Sequence, residues 1–318
     1  MSQHEPWNSN QITRDYYDSL LIEMRHIDAV LPDTRITIFG ETFDTPITTA
    51  ALSHLNGCHP EGLAEMARGA KAANAIAFVG MGEDDEMERI SKSGARVIKI
   101  IKTYEDNDKI FRQIAHAEEC GCMAVGMDFD HGYTWRGEYD VIGEEKMTGK
   151  TLEQLKEFVA HTKLPFVIKG VLSVQDALKC IEAGVKGIVV SHHAGIMNFA
   201  VPPPMILPKI VEAVAGRMTI FVDCGILSGA DAFKALALGA DAVSVGKPLM
   251  PPLSEKGAEG VKEKILQYNV ELAGYMARTC CHHCGHRQQF DLEEVKICPV
   301  VMFTFATGFT YVRTGVLT

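Results

Sequence analysis

The chain has 318 residues, 47% of them hydrophobic, and 31 Lys and Arg against 41 Asp and Glu give a formal charge of −10 at pH 7. That length and apolar content suffice for a large buried core and exclude a disordered chain. The acidic balance excludes a general nucleic-acid binder, whose phosphate contacts require clustered Lys and Arg, but leaves room for a local site that holds a compact anion.

The opening stretch MSQHEPWNSNQITRDYYDS is polar, and nowhere do apolar residues run on for the roughly 18 positions a membrane span needs. A cytoplasmic protein without a membrane partner is expected, and its nine cysteines read as reduced thiols rather than a disulfide framework. Short apolar runs then recur along the chain: TPITTAA (45–51), AIAFVGMG (75–82), RVIKII (96–101), MAVGMDF (123–129), PFVIKG (165–170), GIVVSHH (187–193), TIFVDCG (219–225) and AVSVG (242–246). Segments such as EGLAEMARGAKAAN, DKIFRQIAHAEECG, TLEQLKEFVAHT, VQDALKCIEAG and GADAFKALALG lie between them with helical apolar spacing. Eight apolar strands alternating with helices predict an α/β fold, a (β/α)₈ TIM barrel, rather than an open doubly wound sheet, because no strand leads into a GxGxxG turn. The expected organisation is a single domain: an N-terminal extension over 1–40, the barrel over 41–250, and a final helix and tail over 251–318.

In such a barrel the chemistry belongs at the C-terminal ends of the strands. Those ends carry Asp128 and Asp130, Lys169, then Ser191, His192 and His193, then Asp223, and finally Gly246 and Lys247. Lys169 sits in the apolar run PFVIKGV, where an unpaired ammonium is costly. It reads as a Schiff-base nucleophile, as a fixed charge facing a developing anion, or as a lysine snorkelling to water. The adjacent histidines read as a general base oriented by a carboxylate such as Asp130, as a packed structural pair, or as part of a metal site, for which no third ligand at usual spacing accompanies them. Successive strand residues face opposite sides, so only one of the two can readily face the barrel mouth. The glycine-punctuated VDCGILSGADAF segment offers the N–H groups of Gly225, Leu227, Ser228 and Gly229 and a helix N-terminus to a phosphate, with Lys247 to neutralise it. Near the C-terminus Cys280, Cys281, His282, His283, Cys284 and His286 crowd together, with Cys298 beyond; they read as helix-end packing or as one half of a metal site, and no metal is expected.

HPEG (59–62), IKGVLSVQDA (168–177), SHHAG (191–195) and DCGILSGADAFKALALGADAVSVGKP (223–248), in that order, resemble the FMN-dependent α-hydroxy acid oxidases and dehydrogenases, a likeness that spans about residues 40–280. The resemblance implies a flavoprotein that takes a proton from a hydroxy acid or related hydroxylated substrate and passes hydride to FMN. It implies His193 as the base, Asp130 as its partner, and Lys169 beside flavin N1 and the C2 carbonyl. Ala50, Ala51, Asp128, Ser191, Asp223, Gly225, Gly246 and Lys247 fall to the FMN site, and a homo-oligomer is implied. The substrate side departs from the family: Ile196 stands for the carboxylate-binding arginine, Lys102 for an active-site tyrosine, Ile100 for a glutamine, Leu227 for a phosphate-binding arginine, and His192 for an asparagine. Lys102, Arg136, His192 and His193 are therefore the expected substrate-binding residues, Arg136 as a possible replacement for the lost arginine. An FMN-dependent isomerase or a non-catalytic FMN-binding protein are the alternatives.

Overall fold

The computed structural model describes residues 5–82 and 84–284. Eight parallel strands form one sheet: β1 (Ile47–Thr49), β2 (Ala77–Val79), β3 (Val97–Lys102), β4 (Ala124–Asp128), β5 (Phe166–Val171), β6 (Gly187–Val190), β7 (Thr219–Val222) and β8 (Ala242–Val245). The ladder runs β1-β8-β7-β6-β5-β4-β3-β2. The Thr49 N–H donates to the Ile76 carbonyl at 3.2 Å and Leu52 bridges Val79 in parallel, which brings β1 against β2 and closes the ring. All eight expected strands are present within a few residues of the apolar runs.

The near-continuous hydrophobicity of these strands reflects burial on both faces. Their inward side chains, such as Phe78 and Phe221 in an edge-to-face contact with ring centroids 5.0 Å apart, fill the barrel, and their outward ones meet the surrounding helices. Those helices are α1 (Ser9–Ser19), α2 (Gly62–Ala72), α3 (Asp84–Lys92), α4 (Asn107–Glu119), α5 (Leu152–Ala160), α6 (Val174–Glu182), α7 (Pro203–Val214), α8 (Gly229–Ala237) and α9 (Met250–Ala277). Polar caps start several of them: Asp106 before α4, Thr151 with Gln154 in a reciprocal capping box before α5, Ser173 before α6 and Ser228 before α8. The long α9 segment bends at Gly257, whose φ of 57° is left-handed and whose missing Cβ makes room for the Glu65 carboxylate.

Two hairpins close the ends of the barrel. Ile36–Ile38 pairs with Glu41–Phe43, and its turn residue Phe39 lies against Gly187 at the start of β6, so this hairpin covers the end where strands begin. Val141–Ile142 pairs with Glu145–Lys146 at the opposite mouth, tied to the end of β3 where Glu105 donates to the Lys146 carbonyl and Thr148 to that of Thr103. Helix α1 of the N-terminal extension reaches the same mouth. No helix among the described residues is long and apolar enough to cross a membrane.

Candidate active site

The ends of β3 to β6 bring five titratable side chains together. Asp128, the last residue of β4, is 2% exposed and accepts from two ammonium groups, Lys102 of β3 at 2.6 Å and Lys169 of β5 at 3.1 Å. Strand pairing sets this up, because Asp128 stands in register with Lys102 on one side and Lys169 on the other. Burial opposes the Asp128 carboxylate, but the Lys169 charge, a hydrogen bond from His193 and the Lys102 charge outweigh it and hold its pKa well below the usual range. Burial likewise disfavours the Lys169 ammonium, and Asp128, Asp130 and Asp223 overcome it and raise the lysine pKa. The ammonium form of Lys169 is thus favoured and tied to Asp128, which argues against the Schiff-base reading, because a nucleophilic amine needs the opposite shift.

His193 leaves β6 through strained backbone. His193, Ala194 and Gly195 all have positive φ, at 51°, 53° and 90°, and the His193 N–H is held by Ser191 Oγ at 3.0 Å. This turn carries the His193 ring to the ends of β4 and β5, where Nδ1 lies 2.8 Å from Asp130 Oδ1, 3.3 Å from Asp128 Oδ1 and 2.9 Å from Lys169 Nζ. Burial lowers the affinity of His193 for its proton, the hydrogen bonds to Asp128 and Asp130 outweigh that effect, and the net pKa is raised. The structure thus brings His193, Asp130, Asp128, Lys169 and Lys102 into one network.

It separates the other expected substrate groups from that network. His192 is 2% exposed and turns away, with Nε2 2.7 Å from Thr13 Oγ1 in α1 and Nδ1 accepting the Gly195 N–H at 3.1 Å. It is a structural ring rather than a substrate contact: β6 has ended at Val190, and it is the left-handed turn at His193 and Ala194, with the bonds to Thr13 and Gly195, that sends the two rings in different directions. Arg136 is exposed, its guanidinium 5.0 Å from the Trp135 ring centroid, and among the described residues it makes no hydrogen bond or ion pair to His193, Lys169 or Lys102.

One residue that sequence reasoning passed over completes the cluster. His131, at the end of the short 3₁₀ turn Phe129–His131 after β4, places Nε2 3.0 Å from His193 Nε2 and Nδ1 2.9 Å from Asp140. The signal was present as DFDH, an Asp, Asp and His spaced over four positions at a strand end, but alternation cannot orient residues in a 3₁₀ turn. Asp128, Asp130, His131 and His193 also have metal-ligating atoms within 4.8 Å of one another. Two ammonium groups already stand at hydrogen-bond distance inside that set and compensate its carboxylates, so the donor arrangement does not call for a metal ion. At the C-terminal cluster Cys280 Sγ turns to the carbonyls of Arg25 and Ile27, Cys281 to that of His283, and Cys284 packs on Met276. These described thiols do not converge, and His286 and Cys298 lie outside the described residues.

The residues present fit FMN. Lys169 sets a buried ammonium at a strand end, and Asp130 Oδ2, 3.8 Å from that ammonium, is buried without a hydrogen-bond partner, so the site has polar capacity beyond its internal bonds. Small residues line the junction of β1, β2 and β8: Ala50 is bonded to the Val245 carbonyl, Ala51 follows, and a Cβ on Gly246 would come within 3.3 Å of the Ala50 Cβ. Asp223 at the end of β7 is buried and accepts from the Cys224 thiol at 2.9 Å, and that thiol accepts the Ala194 N–H and lies 3.6 Å from Ser191 Oγ. Lys247 is exposed beside Gly246. The phosphate turn is smaller than the sequence suggests, because the Leu227 N–H is held by Asp231 at 3.0 Å and the Gly229 N–H by Glu271 at 2.7 Å. That leaves the N–H groups of Gly225, whose φ is 85°, and Ser228, with Gly246 and Lys247, to face an anion.

Comparison with known proteins gives the same answer. The chain matches the FMN-dependent dehydrogenase family over residues 5–150 and 135–292. It is 30% identical over 292 residues to 4-hydroxymandelate oxidase of Amycolatopsis orientalis, covering 81% of this chain and 82% of that protein. Glycolate oxidase of Spinacia oleracea is 29% identical over 291 residues, with 80% and 79% covered. A mandelate oxidase variant solved with a monooxide FMN adduct superposes with a TM-score of 0.81 at 32% identity, over 88% of this chain and 90% of that one. With the barrel, the strand-end cluster and these matches in agreement, the chain belongs to the FMN-dependent dehydrogenase family and is an FMN-dependent oxidoreductase acting on CH–OH groups.

Proposed function

We propose that this enzyme oxidises a 2-hydroxy acid or a closely related hydroxylated compound, with His193 as the base that removes the substrate hydroxyl proton. The observation that carries the proposal is the 2.8 Å contact of His193 Nδ1 with Asp130, made beside the Lys169 ammonium. Asp130 and Asp128 hold the ring through Nδ1 and favour its protonated form, so the proton is received at Nε2. FMN, when bound, supplies the hydride acceptor. Lys169 contributes a fixed positive charge that needs no reorganisation as negative charge develops. Ala50, Ala51, Ser191, Asp223, Gly225, Gly246 and Lys247 are the residues proposed to hold the cofactor. Substrate recognition falls to Lys102, because Arg136 is directed to Trp135 and Ile196 carries no charge. A reducing compartment, on this reading the cytoplasm, fits the eight described cysteines, none of which is in a disulfide.

The test is anaerobic bleaching of the flavin absorbance by a panel of 2-hydroxy acids with aliphatic and aromatic side chains. His193→Ala should keep FMN and lose substrate-driven reduction by about a hundredfold to ten-thousandfold. If no member of the panel bleaches the native enzyme, the substrate class is wrong; if His193→Ala is reduced at the native rate, the base is wrong.

A further inference from the structure

We propose that His131, held by Asp140, is the proton outlet of the active site: it takes the proton from His193 between turnovers and passes it to water. The proposal rests on the reading of His193 as the base and adds the step that makes it a base again. His193 has no free path for its proton on the Nδ1 side, where Asp128, Asp130 and Lys169 surround it. Among the described residues its Nε2 hydrogen-bonds with one protein group, the Nε2 of His131, at 3.0 Å, with the two rings edge-to-face and their centroids 4.2 Å apart.

The hydrogen-bond pattern fixes the direction of transfer. Asp140 lies 2.9 Å from His131 Nδ1, and a carboxylate only accepts, so Nδ1 of His131 carries a hydrogen and Nε2 of the neutral ring has a lone pair. A hydrogen bond between two Nε2 atoms needs one donor, which must then be His193. His193 therefore carries a hydrogen at Nε2 in this arrangement; once the substrate proton has been taken up and Nδ1 donates to Asp130 as well, it is the doubly protonated ring. Burial and the neighbouring Lys102 charge keep His131 neutral at rest, whereas the carboxylates favour protonated His193. The charged groups facing His131 are Lys102, Asp128, Asp140 and His193; those facing His193 are Asp128, Asp130, Lys169 and His131.

The step moves one proton and changes no other bond. His193 Nε2–H gives its proton to His131 Nε2, leaving a neutral His193 and a His131 imidazolium paired with Asp140. The imidazolium then loses the same proton to water or buffer, and both rings are neutral, the state in which His193 can take the next substrate proton. Access exists for this last transfer, since the side chains of His131 and Asp140 are 19% and 23% exposed, while Asp128 beneath is 2% exposed. The Nε2 pair must part when a substrate hydroxyl reaches His193, so the transfer belongs to the reset and not to substrate oxidation.

That timing gives a test that a structural role would not reproduce. Turnover and single-turnover flavin reduction are measured for the FMN-loaded native enzyme, His131→Gln and Asp140→Asn, in weak buffer and with added imidazole. His131→Gln should lower kcat about tenfold or more in weak buffer, with imidazole restoring it in a concentration-dependent way. Anaerobic reduction in a single turnover, started at alkaline pH where His193 is already neutral, should stay within about twofold of native. Asp140→Asn should act in the same direction and more weakly. Native kcat in both variants without any imidazole response would overturn the proposal, as would an equal loss of single-turnover reduction and turnover. His193→Ala is run beside them: if it too reduces flavin at the native rate, the base assignment itself has failed, whereas a dead His193→Ala with fully active His131→Gln sinks the outlet alone.

Discussion

Thr13 Oγ1 in helix α1 lies 2.7 Å from His192 Nε2, and the Gly195 N–H donates to Nδ1 of the same ring at 3.1 Å. Because Nδ1 accepts, Nε2 must carry the hydrogen and donate it to Thr13, so His192 is locked as one neutral tautomer. Burial lowers its pKa in keeping with that state. Its neighbour His193 faces Asp128 at the end of β4 and Asp130 in the turn that follows. The two adjacent histidines therefore have separable roles, one tying the N-terminal helix to the barrel mouth and the other handling a proton.

This separation predicts opposite phenotypes. His192→Ala removes the ring partner of Thr13 and Gly195, which should cost about 1–3 kcal/mol for buried groups left unsatisfied, seen as a lower Tm, while flavin reduction by substrate persists. His193→Ala should show the reverse at alkaline pH, where the His193 charge no longer contributes to stability: Tm close to native and reduction lost. Thermal melts and anaerobic bleaching on the same preparations decide it, and a His192→Ala enzyme that melts normally but cannot reduce flavin would exchange the two assignments.

The barrel was legible because its strands are buried on both faces and therefore read as unbroken apolar runs, from TPITTAA to AVSVG. The charged strand ends were legible for the converse reason: Asp128, Lys169 and His193 interrupt those runs where burial without a partner is costly. What escaped depends on contacts between distant segments. Nothing local to NQITRDYY signals that Thr13 meets His192, or that Arg14 binds the Gly225 carbonyl and Asp231. The helix α8 N-terminus likewise looks free for a phosphate in sequence, yet Glu271 of α9, 42 positions away, fills the Gly229 N–H. Arg136 lies close to the expected arginine position in sequence, but the turn after β4 carries it out over Trp135.

The pH dependence follows from the directions of the two histidine shifts. His193 must be neutral to accept a proton and its folded pKa is raised, so flavin reduction should increase with pH through an apparent pKa above the unperturbed value of about 6.5. In stability the same shift has the opposite sense: the contribution is fully present below the unfolded pKa and is lost as pH rises through the raised folded pKa. His192, whose pKa is lowered, contributes stability above the unfolded value that is lost as pH falls through its folded pKa. His193→Gln should therefore abolish the alkaline loss of stability and leave the acidic one, as read from Tm against pH. An unchanged alkaline limb would remove His193 from the account.

Asp128 joins two buried ammonium groups, at 2.6 Å and 3.1 Å, so its removal leaves both uncompensated. Asp128→Ala should destabilise by about 3–5 kcal/mol, the usual result of breaking a buried ion pair from one side. Adding Lys102→Met removes one of the stranded charges, and the double variant should recover about 1–3 kcal/mol of that loss as coupling energy. Denaturant unfolding of the four members of the cycle measures it. Strict additivity would mean that Lys102 is not held by Asp128 in solution.

Lys169 touches both halves of the mechanism, since its Nζ lies 3.1 Å from Asp128 and 2.9 Å from His193 Nδ1. Lys169→Met withdraws a fixed positive charge from the place where negative charge develops, which should reduce the rate of flavin reduction about a hundredfold, equivalent to roughly 3 kcal/mol. The same substitution has a second effect with a defined sign. The Lys169 charge opposes protonation of His193, so without it the base holds its proton more tightly and the rising limb of the pH–rate profile moves to higher pH. A slower enzyme with an unshifted profile would place Lys169 with the flavin but not with His193, and a native rate with a native profile would make it an ordinary strand-end lysine. A lower rate accompanied by an alkaline shift is expected because one ammonium group serves both sites, and no loss of packing alone would move the pH profile in that direction.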